Sequence, residues 1–426
     1  MSRKVIVVGG GWAGVSAAVS ARNAGAEVIV LERTDMLLGT GLVGGIMRNN
    51  GRFTATEEMI AMGGGEIFNC IDANCRHKNI EFPGHKHANL YDVSKMEPSI
   101  LSLLRNKGIE VRLVSRVKEV ESNSQGIVSV ILDSDEKIAA DVFIDATGSA
   151  GPMSNCGKHA NGCVMCILRC PTFGGRISLA DKAGVIELMG KKADGAIGAI
   201  SGSCKLLVES LSEYIAKKLQ DTGVYVAPIP QEVRLEKDSL SIKACQQYSL
   251  PEFSDNLVLL DTGHAKLMTA FYPLEDLRKI PGFERARYED PYSGGRGNSI
   301  RYMAIAPRDN ALKVEGVGNL FCAGEKTGPL VGHTEAIVTG TLAGYNAVRW
   351  AFGEDLLVLS QQTCVGDAIS FVNEQVKTAD GLSLKYTFSG SVYFSRMRDL
   401  GLYTTDVNTI RNRVEEAGLT NVFAKV

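Results

Sequence analysis

The sequence predicts an α/β protein. A domain built on a parallel sheet is interrupted by a second, mixed α/β domain and followed by a small helical C-terminal tail. Three observations carry this reading. A strand, a glycine-spaced turn and a helix follow one another between Val5 and Ala24. Apolar runs of strand length then alternate with helical segments as far as Gly148. A last strand and glycine-rich helix, Asn319 to Ala347, returns to the same pattern late in the chain. The expected boundaries are residues 1–150 with 300–360 for the sheet domain, 151–299 for the second domain and 361–426 for the tail. A chain of 426 residues is too long for one ordinary core, which agrees with more than one domain.

Val5 to Val8 is a short apolar run suited to a strand buried on both faces. Gly9, Gly11 and Gly14 follow in G-x-G-x-x-G spacing around Trp12 and Ala13, and the small residues from Val15 to Ala24 read as a helix. Such glycines serve a tight turn, close approach of backbone to a pyrophosphate, and close helix–strand packing. The helix N-terminus adds free N–H groups and its dipole. Ala26 to Leu31 is a second strand, and Glu32 ends it 18 residues beyond Gly14. An acidic residue there accepts the ribose hydroxyls of an adenine dinucleotide. This end of the chain is therefore Rossmann-like and binds FAD or NAD. Its cofactor candidates are Gly9, Gly11, Trp12, Ala13, Gly14, Glu32 and Arg33.

Leu38 to Ile46 is a second glycine-rich loop, with Gly39 a further cofactor candidate; the simpler reading is a mobile turn. Thr54 to Met62 has helical spacing and stops at Gly63-Gly64-Gly65. Cys70 and Cys75 do not share a helical face and read as two buried free thiols. Pro83-Gly84 marks a turn. His85 and His87 lack a nearby acidic or thiol partner and read as surface or substrate-facing rather than metal-binding. Glu97 to Asn106 reads as a helix with Pro98 in its first turn. Gly108 to Val114 is the third parallel strand, and Val117 to Leu132 a hairpin about Asn123–Gly126, with Val117 another cofactor candidate. Ala140 to Gly148 is a strand running into Ala146, Thr147 and Gly148, also cofactor candidates.

This order resembles the glutathione-reductase-like flavoproteins, in which an Ala-Thr-Gly strand marks where the chain first leaves the FAD domain. The resemblance implies a second return, and Asn319-Leu-Phe-Cys-Ala-Gly-Glu325 supplies it. It implies that Glu325, after Gly324, binds the ribityl chain. It also implies that the helix beginning near His333 and Thr334 points its N-terminus at the flavin pyrimidine ring, where it stabilises negative charge on reduced flavin. Two ends of this kind specify FAD over NAD. Gly44-Gly-Ile46, Met59-Ile-Ala-Met-Gly-Gly64, and Phe321 to Glu325 with Glu335-Ala336, Gly340 and Leu342 to Ala347 further resemble the GidA family, tRNA-modifying flavoproteins related to the folate-dependent tRNA uridine methyltransferases. The likeness covers residues 1–65 and the 300–350 region. Where that family carries cysteines, this chain has Thr40, Gly41 and Leu42, and Met303 after Arg301-Tyr302. A thioether has no thiolate form, so Met303 cannot act as a nucleophile.

Cys156, Cys163, Cys166 and Cys170 form C-x6-C-x2-C-x3-C, with Pro171 closing the run. Four thiolates meet the ligand need of a [4Fe–4S] cluster, and the spacing with its trailing proline looks like a ferredoxin segment. A C-x-x-C dithiol at Cys163 and Cys166, a zinc site and a set of unconnected buried cysteines are the other readings. Ten cysteines among 426 residues do not make a secreted disulfide framework.

In the middle region Ser210 to Thr222 is helical, while Val224 to Pro230 and Leu257 to Asp261 are strand-like. Gly195 to Gly202 lacks a preceding strand, so there is no second dinucleotide fingerprint and no dedicated NAD(P)H domain; diffusible NAD(P)H can still reach a flavin. His264 and Lys266 follow Asp261-Thr-Gly263 and, with His333, are the catalytic candidates; plain loop is the bland reading of the first two. Gly294-Gly-Arg-Gly297 is a basic loop before Arg301. The tail, including Val407 to Ala417, has apolar spacing suited to packing on the body or on a second copy. A net charge of −2 gives no argument for a nucleic-acid or membrane partner. The expected protein is a cytoplasmic FAD-dependent oxidoreductase acting through flavin N5 on a small molecule or a redox partner protein. The alternatives are a folate-dependent RNA-modifying flavoenzyme and a non-catalytic electron-transfer subunit.

Overall fold

In the computed structural model the described residues are 2–148, 172–191, 203–234, 251–269, 272–289 and 303–425, with 195, 197, 199–200 and 300–301 between them. The four-cysteine run and the Gly294–Gly297 loop lie outside them. The first unit is β1 (Lys4–Val8), α1 (Trp12–Asn23) and β2 (Glu27–Leu31). A short turn of helix α2 (Gly41–Gly44), strand β3 (Ile46–Met47), α3 (Gly51–Ala61), α4 (Glu66–Ala73), the hairpin β4 (Cys75–Phe82) and β5 (His85–Tyr91), and α5 (Val93–Asn106) follow. Strand β6 (Glu110–Arg112) precedes a three-stranded sheet of β7 (Val117–Asn123), β8 (Gly126–Leu132) and β9 (Lys137–Ala139), and then β10 (Val142–Asp145).

After the excursion come β11 (Cys204–Leu206), α6 (Glu213–Thr222), β12 (Val224–Pro228), β13 (Asn256–Asp261) and β14 (Ala265–Leu267), then the return strand β15 (Leu320–Cys322) and the long helix α7 (His333–Phe352). Helices α8 (Cys364–Gln375), α9 (Ser391–Asp399) and α10 (Val407–Glu416) make up most of the tail. The central sheet has the order β15-β10-β1-β2-β6, and its strand pairs are all parallel. Val5, Ile6, Val7 and Phe143 are fully buried, as strands covered on both faces require. The excursion folds as an antiparallel sheet, β11-β14-β13-β12, with its own core of Leu257, Leu259 and Leu267 under Ile215 and Leu219 of α6.

One face of the sheet is closed by α1 against α7. These helices meet backbone to backbone, because a methyl group at Gly340 would lie 2.2 Å from the Ala13 carbonyl oxygen and one at Gly344 2.1 Å from that of Ala17. The tail docks on α3 through a buried carboxylate: Glu58 accepts hydrogen bonds from the N–H groups of Cys364 (3.0 Å) and Val365 (3.1 Å), and Arg413 stands 3.3 Å away. No helix among the described residues is long and apolar enough to cross a membrane.

Several local readings change. Helix α5 starts at Val93, ahead of the expected Glu97, so Pro98 lies inside it rather than in its first turn. The Asp92 carboxylate caps the earlier start by accepting the Ser94 N–H at 3.0 Å. Burial of Val93, Met96, Ile100 and Leu104 along one stripe then outweighs the hydrogen bond that Pro98 cannot donate. The β4–β5 hairpin about Pro83-Gly84 shows only a turn signal in the sequence, because its register shifts break the alternation of apolar residues. Cys70 and Cys75 are half-buried rather than buried, and burial pushes the Cys75 thiol up to about 12. His85 is neither on the surface nor open to substrate: it is 2% exposed, with Nδ1 2.9 Å from Asn49.

Candidate functional site

A cleft enclosing about 840 Å³, counted to its open mouth, lies at the C-terminal ends of β1, β2 and β10, where ligands bind in open parallel sheets. Its floor is the first glycine turn. Gly9 has φ +104°, and a side chain there would lie 2.4 Å from the Ala146 carbonyl oxygen. A methyl at Gly14 would lie 1.8 Å from the Gly9 oxygen. Gly11 is different: no atom lies within 4 Å of where its side chain would point, although it lines the cleft. Gly9 and Gly14 are thus required by packing, whereas a side chain at Gly11 would fill the cradle itself. Helix α1 begins beside it with no side-chain cap, so its first N–H groups are open to an anion.

Glu32 stands across the turn, accepting the Gly10 N–H at 2.7 Å, the Thr34 N–H at 2.8 Å and the Thr34 hydroxyl at 3.0 Å. Three of about four acceptor directions of a carboxylate are then used, and one remains for a ribose hydroxyl. Arg33, Gly39, Val117, Ala146, Thr147, Gly148 and Glu325 line the same cleft, so the structure brings together candidates from five separate stretches of sequence. These residues fit an adenine dinucleotide, and Glu325 extends the lining toward the return strand. Trp12 and Ala13 are instead buried behind the turn.

Next to Glu325 in the chain stands one member of a buried ion pair. Lys326 is fully buried; its ammonium donates to the Ser178 hydroxyl at 2.8 Å and to the Glu187 carboxylate. Ser178 also lies 3.4 Å from Asp145, whose carboxylate takes the Thr147 and Ala180 N–H groups at 3.0 and 2.9 Å. The network joins the strand ends of β10 and β15 to the segment carrying Arg176 and Ile177 at the cleft wall.

The loop that reads as a mobile turn is held on several sides. Tyr91 donates its hydroxyl to the Gly41 carbonyl at 2.5 Å, Lys205 reaches the Leu42 carbonyl at 3.0 Å, and Lys266 the Val43 carbonyl at 2.7 Å and Ser203 at 2.6 Å. Lys266, a catalytic candidate, is 5% exposed and grips this loop. His333 opens α7 and packs on Gly44, where a side chain would overlap its ring at 1.6 Å. Its Nδ1 is 3.3 Å from the Tyr91 hydroxyl, and its ring lies 6.2 Å from that of Trp12. The neighbouring Thr334 is fully buried, and its hydroxyl has no hydrogen-bond partner among the described residues. His264 lies in the loop between β13 and β14, as the bland reading expects, with its Nδ1 2.8 Å from the Glu289 carboxylate, whereas Lys266 lies on β14. Tyr91, Lys205, Lys326 and Glu289 escape a sequence reading; only Lys326, a cation beside Glu325 in the return turn, has a local signal. Among the described residues no group of three or more His, Cys, Asp or Glu side chains is placed to hold a metal ion.

Comparison with known proteins agrees with this geometry. Residues 4–158 match the family model described as FAD dependent oxidoreductase, and residues 263–355 the model described as Glucose inhibited division protein A. The chain is 33% identical over 113 residues to the tRNA uridine 5-carboxymethylaminomethyl modification enzyme MnmG of Chlorobaculum tepidum, covering 26% of this chain and 17% of that one. It is 40% identical over 108 residues to the methylenetetrahydrofolate–tRNA-(uracil-5-)-methyltransferase TrmFO of an Exiguobacterium species, covering 25% and 22%. The chain thus spans about a fifth of the length of these relatives. The crystal structure of Aquifex aeolicus GidA in form II superposes with a TM-score of 0.64 at 16% identity, over 97% of this chain and 76% of that one, a likeness of fold.

Proposed function

We propose, from the premise that the chain belongs to the GidA-like superfamily of FAD-dependent oxidoreductases, that it binds FAD in the cleft above β1 and oxidises or reduces a small molecule or a partner protein. The observation that carries this reading is the cradle at Gly11, open to the cleft, with the uncapped start of α1 on one side and Glu32 on the other. The α1 N–H groups bind pyrophosphate, Glu32 takes a ribose hydroxyl, and Glu325 takes the ribityl chain. The first turn of α7, with His333 and Thr334, lies at the flavin end. When bound, FAD supplies two-electron chemistry that the chain's own side chains lack. The chain's contribution is orientation, exclusion of water and charge. The reading includes a cytoplasmic location, diffusible NAD(P)H as an electron donor and self-association through the tail.

A [4Fe–4S] cluster on Cys156, Cys163, Cys166 and Cys170 is the finer proposal, supported by spacing alone. A second reading, RNA modification, is favoured by the tRNA-modifying activities of the relatives over the matched segments. One preparation tests all three. Protein purified without oxygen should show flavin absorption that dithionite bleaches, and about four irons and four sulfides per chain if the cluster forms. Protein that takes up no flavin when incubated with FAD refutes the main reading. Salt-sensitive binding of transfer RNA would favour the second.

A further inference from the structure

His264 and Glu289 form a hydrogen-bonded dyad beside the second sheet. His264 lies in the tight connection between β13 and β14, and Glu289 is held beside β11 by its own N–H, which donates to the Lys205 carbonyl at 3.0 Å. Nδ1 of the imidazole lies 2.8 Å from Oε1 of Glu289, with the side chains 23% and 29% exposed. Such a contact fixes the ring and its tautomer, with the proton on Nδ1 and the lone pair on Nε2. Nε2 has no hydrogen-bond partner among the described residues. The other oxygen of Glu289 is buried without a hydrogen-bond partner among the described residues, which leaves its charge directed at the imidazole.

Neighbours of the dyad hold the glycine-rich loop, whose Gly39 and Thr40 line the cleft. Two residues before His264, Thr262 packs on Gly45: a side chain at Gly45 would lie 2.4 Å from its methyl. Lys205, cross-strand neighbour of Lys266, carries its ammonium to the Leu42 carbonyl. Burial pushes the Glu289 carboxyl up, but the hydrogen bond and charge of His264, with the charge of Lys205, outweigh it and leave it below the ordinary carboxylate range. The other charged groups around this connection are Lys266 on β14, and Asp261 on β13 with its partners Arg76 and His77 from β4. Asp92, at the start of α5, lies against Gly263.

We propose that His264 is the catalytic acid–base of this protein, that Glu289 positions it, and that the substrate is an alcohol or amine whose oxidisable carbon bears the protic group. In the forward direction the O–H or N–H bond of the substrate breaks, its proton bonds to Nε2, and the imidazolium is stabilised by Glu289, which stays ionised. The flavin of the proposed function is the oxidant that takes the hydride of the same carbon, so the substrate loses two electrons and becomes a ketone or imine. The inference rests on that flavoprotein reading.

The test uses the full chain loaded with FAD, its flavin content fixed first by absorbance. The imidazole tautomer is followed by 15N NMR in the wild type, H264Q, E289Q and E289D. Flavin bleaching without oxygen is followed by stopped flow with a panel of 2-hydroxy acids, secondary alcohols and 2-amino acids. The imidazole resonance missing in H264Q should show the Nδ1–H tautomer in the wild type and E289D and lose that preference in E289Q. Bleaching by the active panel member should slow by about 10²-fold or more in H264Q. Added imidazole should restore part of the rate in H264A. A chain that binds no flavin sinks the parent reading and this one together. A flavin-loaded chain that no panel member bleaches, or whose H264Q variant keeps the wild-type rate, overturns this inference alone. The same His264 tautomer in wild type and E289Q overturns the positioning role.

Discussion

Gly344→Ala is a perturbation of a single methyl group whose effect can be worked from the contact between α1 and α7. The added carbon would stand 2.1 Å from the Ala17 carbonyl oxygen, 2.8 Å from its carbonyl carbon and 2.9 Å from its Cα. All three are backbone atoms of a helix, so no side chain can swing away. A close carbon–oxygen contact needs about 3.3 Å, and the helices must therefore part locally by about 1.2 Å or the chain must bend. Overpacking of this kind costs about 1–3 kcal/mol. Helix α1 presents its N-terminus to the proposed pyrophosphate site, so the displacement disturbs that site. FAD affinity should fall by about tenfold or more, corresponding to about 1.4 kcal/mol. Urea unfolding reads the stability term, and fluorescence titration of apoprotein with FAD reads the binding term. Gly353→Ala is the control: it ends the same helix at φ +72° with no atom within 4 Å, and should cost only the backbone term of about 1 kcal/mol while leaving FAD binding unchanged. A Gly344→Ala protein with wild-type unfolding midpoint and wild-type FAD affinity would refute the packing argument.

Two further outcomes follow from buried charge. Lys326→Met leaves Glu187, whose side chain is 7% exposed, without its cation; the loss should be about 3–5 kcal/mol in urea unfolding. The Lys326→Met/Glu187→Leu double variant should recover most of it, and a double variant no more stable than the single one would show that the pair is not what matters. His85 is held down to about 3, by burial first and the Arg52 charge second. Its unfolded form takes up a proton near 6.5, so between pH 6.5 and about 3 the unfolded state binds more protons and stability falls as the solution is acidified. This contribution is fully present above pH 6.5 and weakens at no more than about 1.4 kcal/mol per pH unit. His85→Gln should flatten that part of the stability–pH curve, and an unchanged curve would rule out His85 as its source.

The amino-acid sequence by itself determined the parallel sheet and the dinucleotide turn. Runs such as Val5–Val8, the spacing of Gly9, Gly11 and Gly14, and Glu32 at the end of β2 are short-range patterns. Strand burial and turn geometry act there between residues close in sequence. The return at Leu320–Cys322 and the helix from His333 were legible for the same reason. Local pattern also misled where tertiary burial overrode it, as when the apolar stripe of α5 carried the helix through Pro98. Only the tertiary structure decided that Lys266 grips the Val43 carbonyl, that Lys326 meets Glu187, and that His264 finds Glu289. Each of these pairs joins residues whose separation in the chain carries no periodicity. Their meeting depends on the register of the antiparallel sheet and on the return of the chain to the cleft. A charged side chain shows nothing in sequence of the low-dielectric surroundings that will force it to find a partner, and that pairing is set when the sheets close over it.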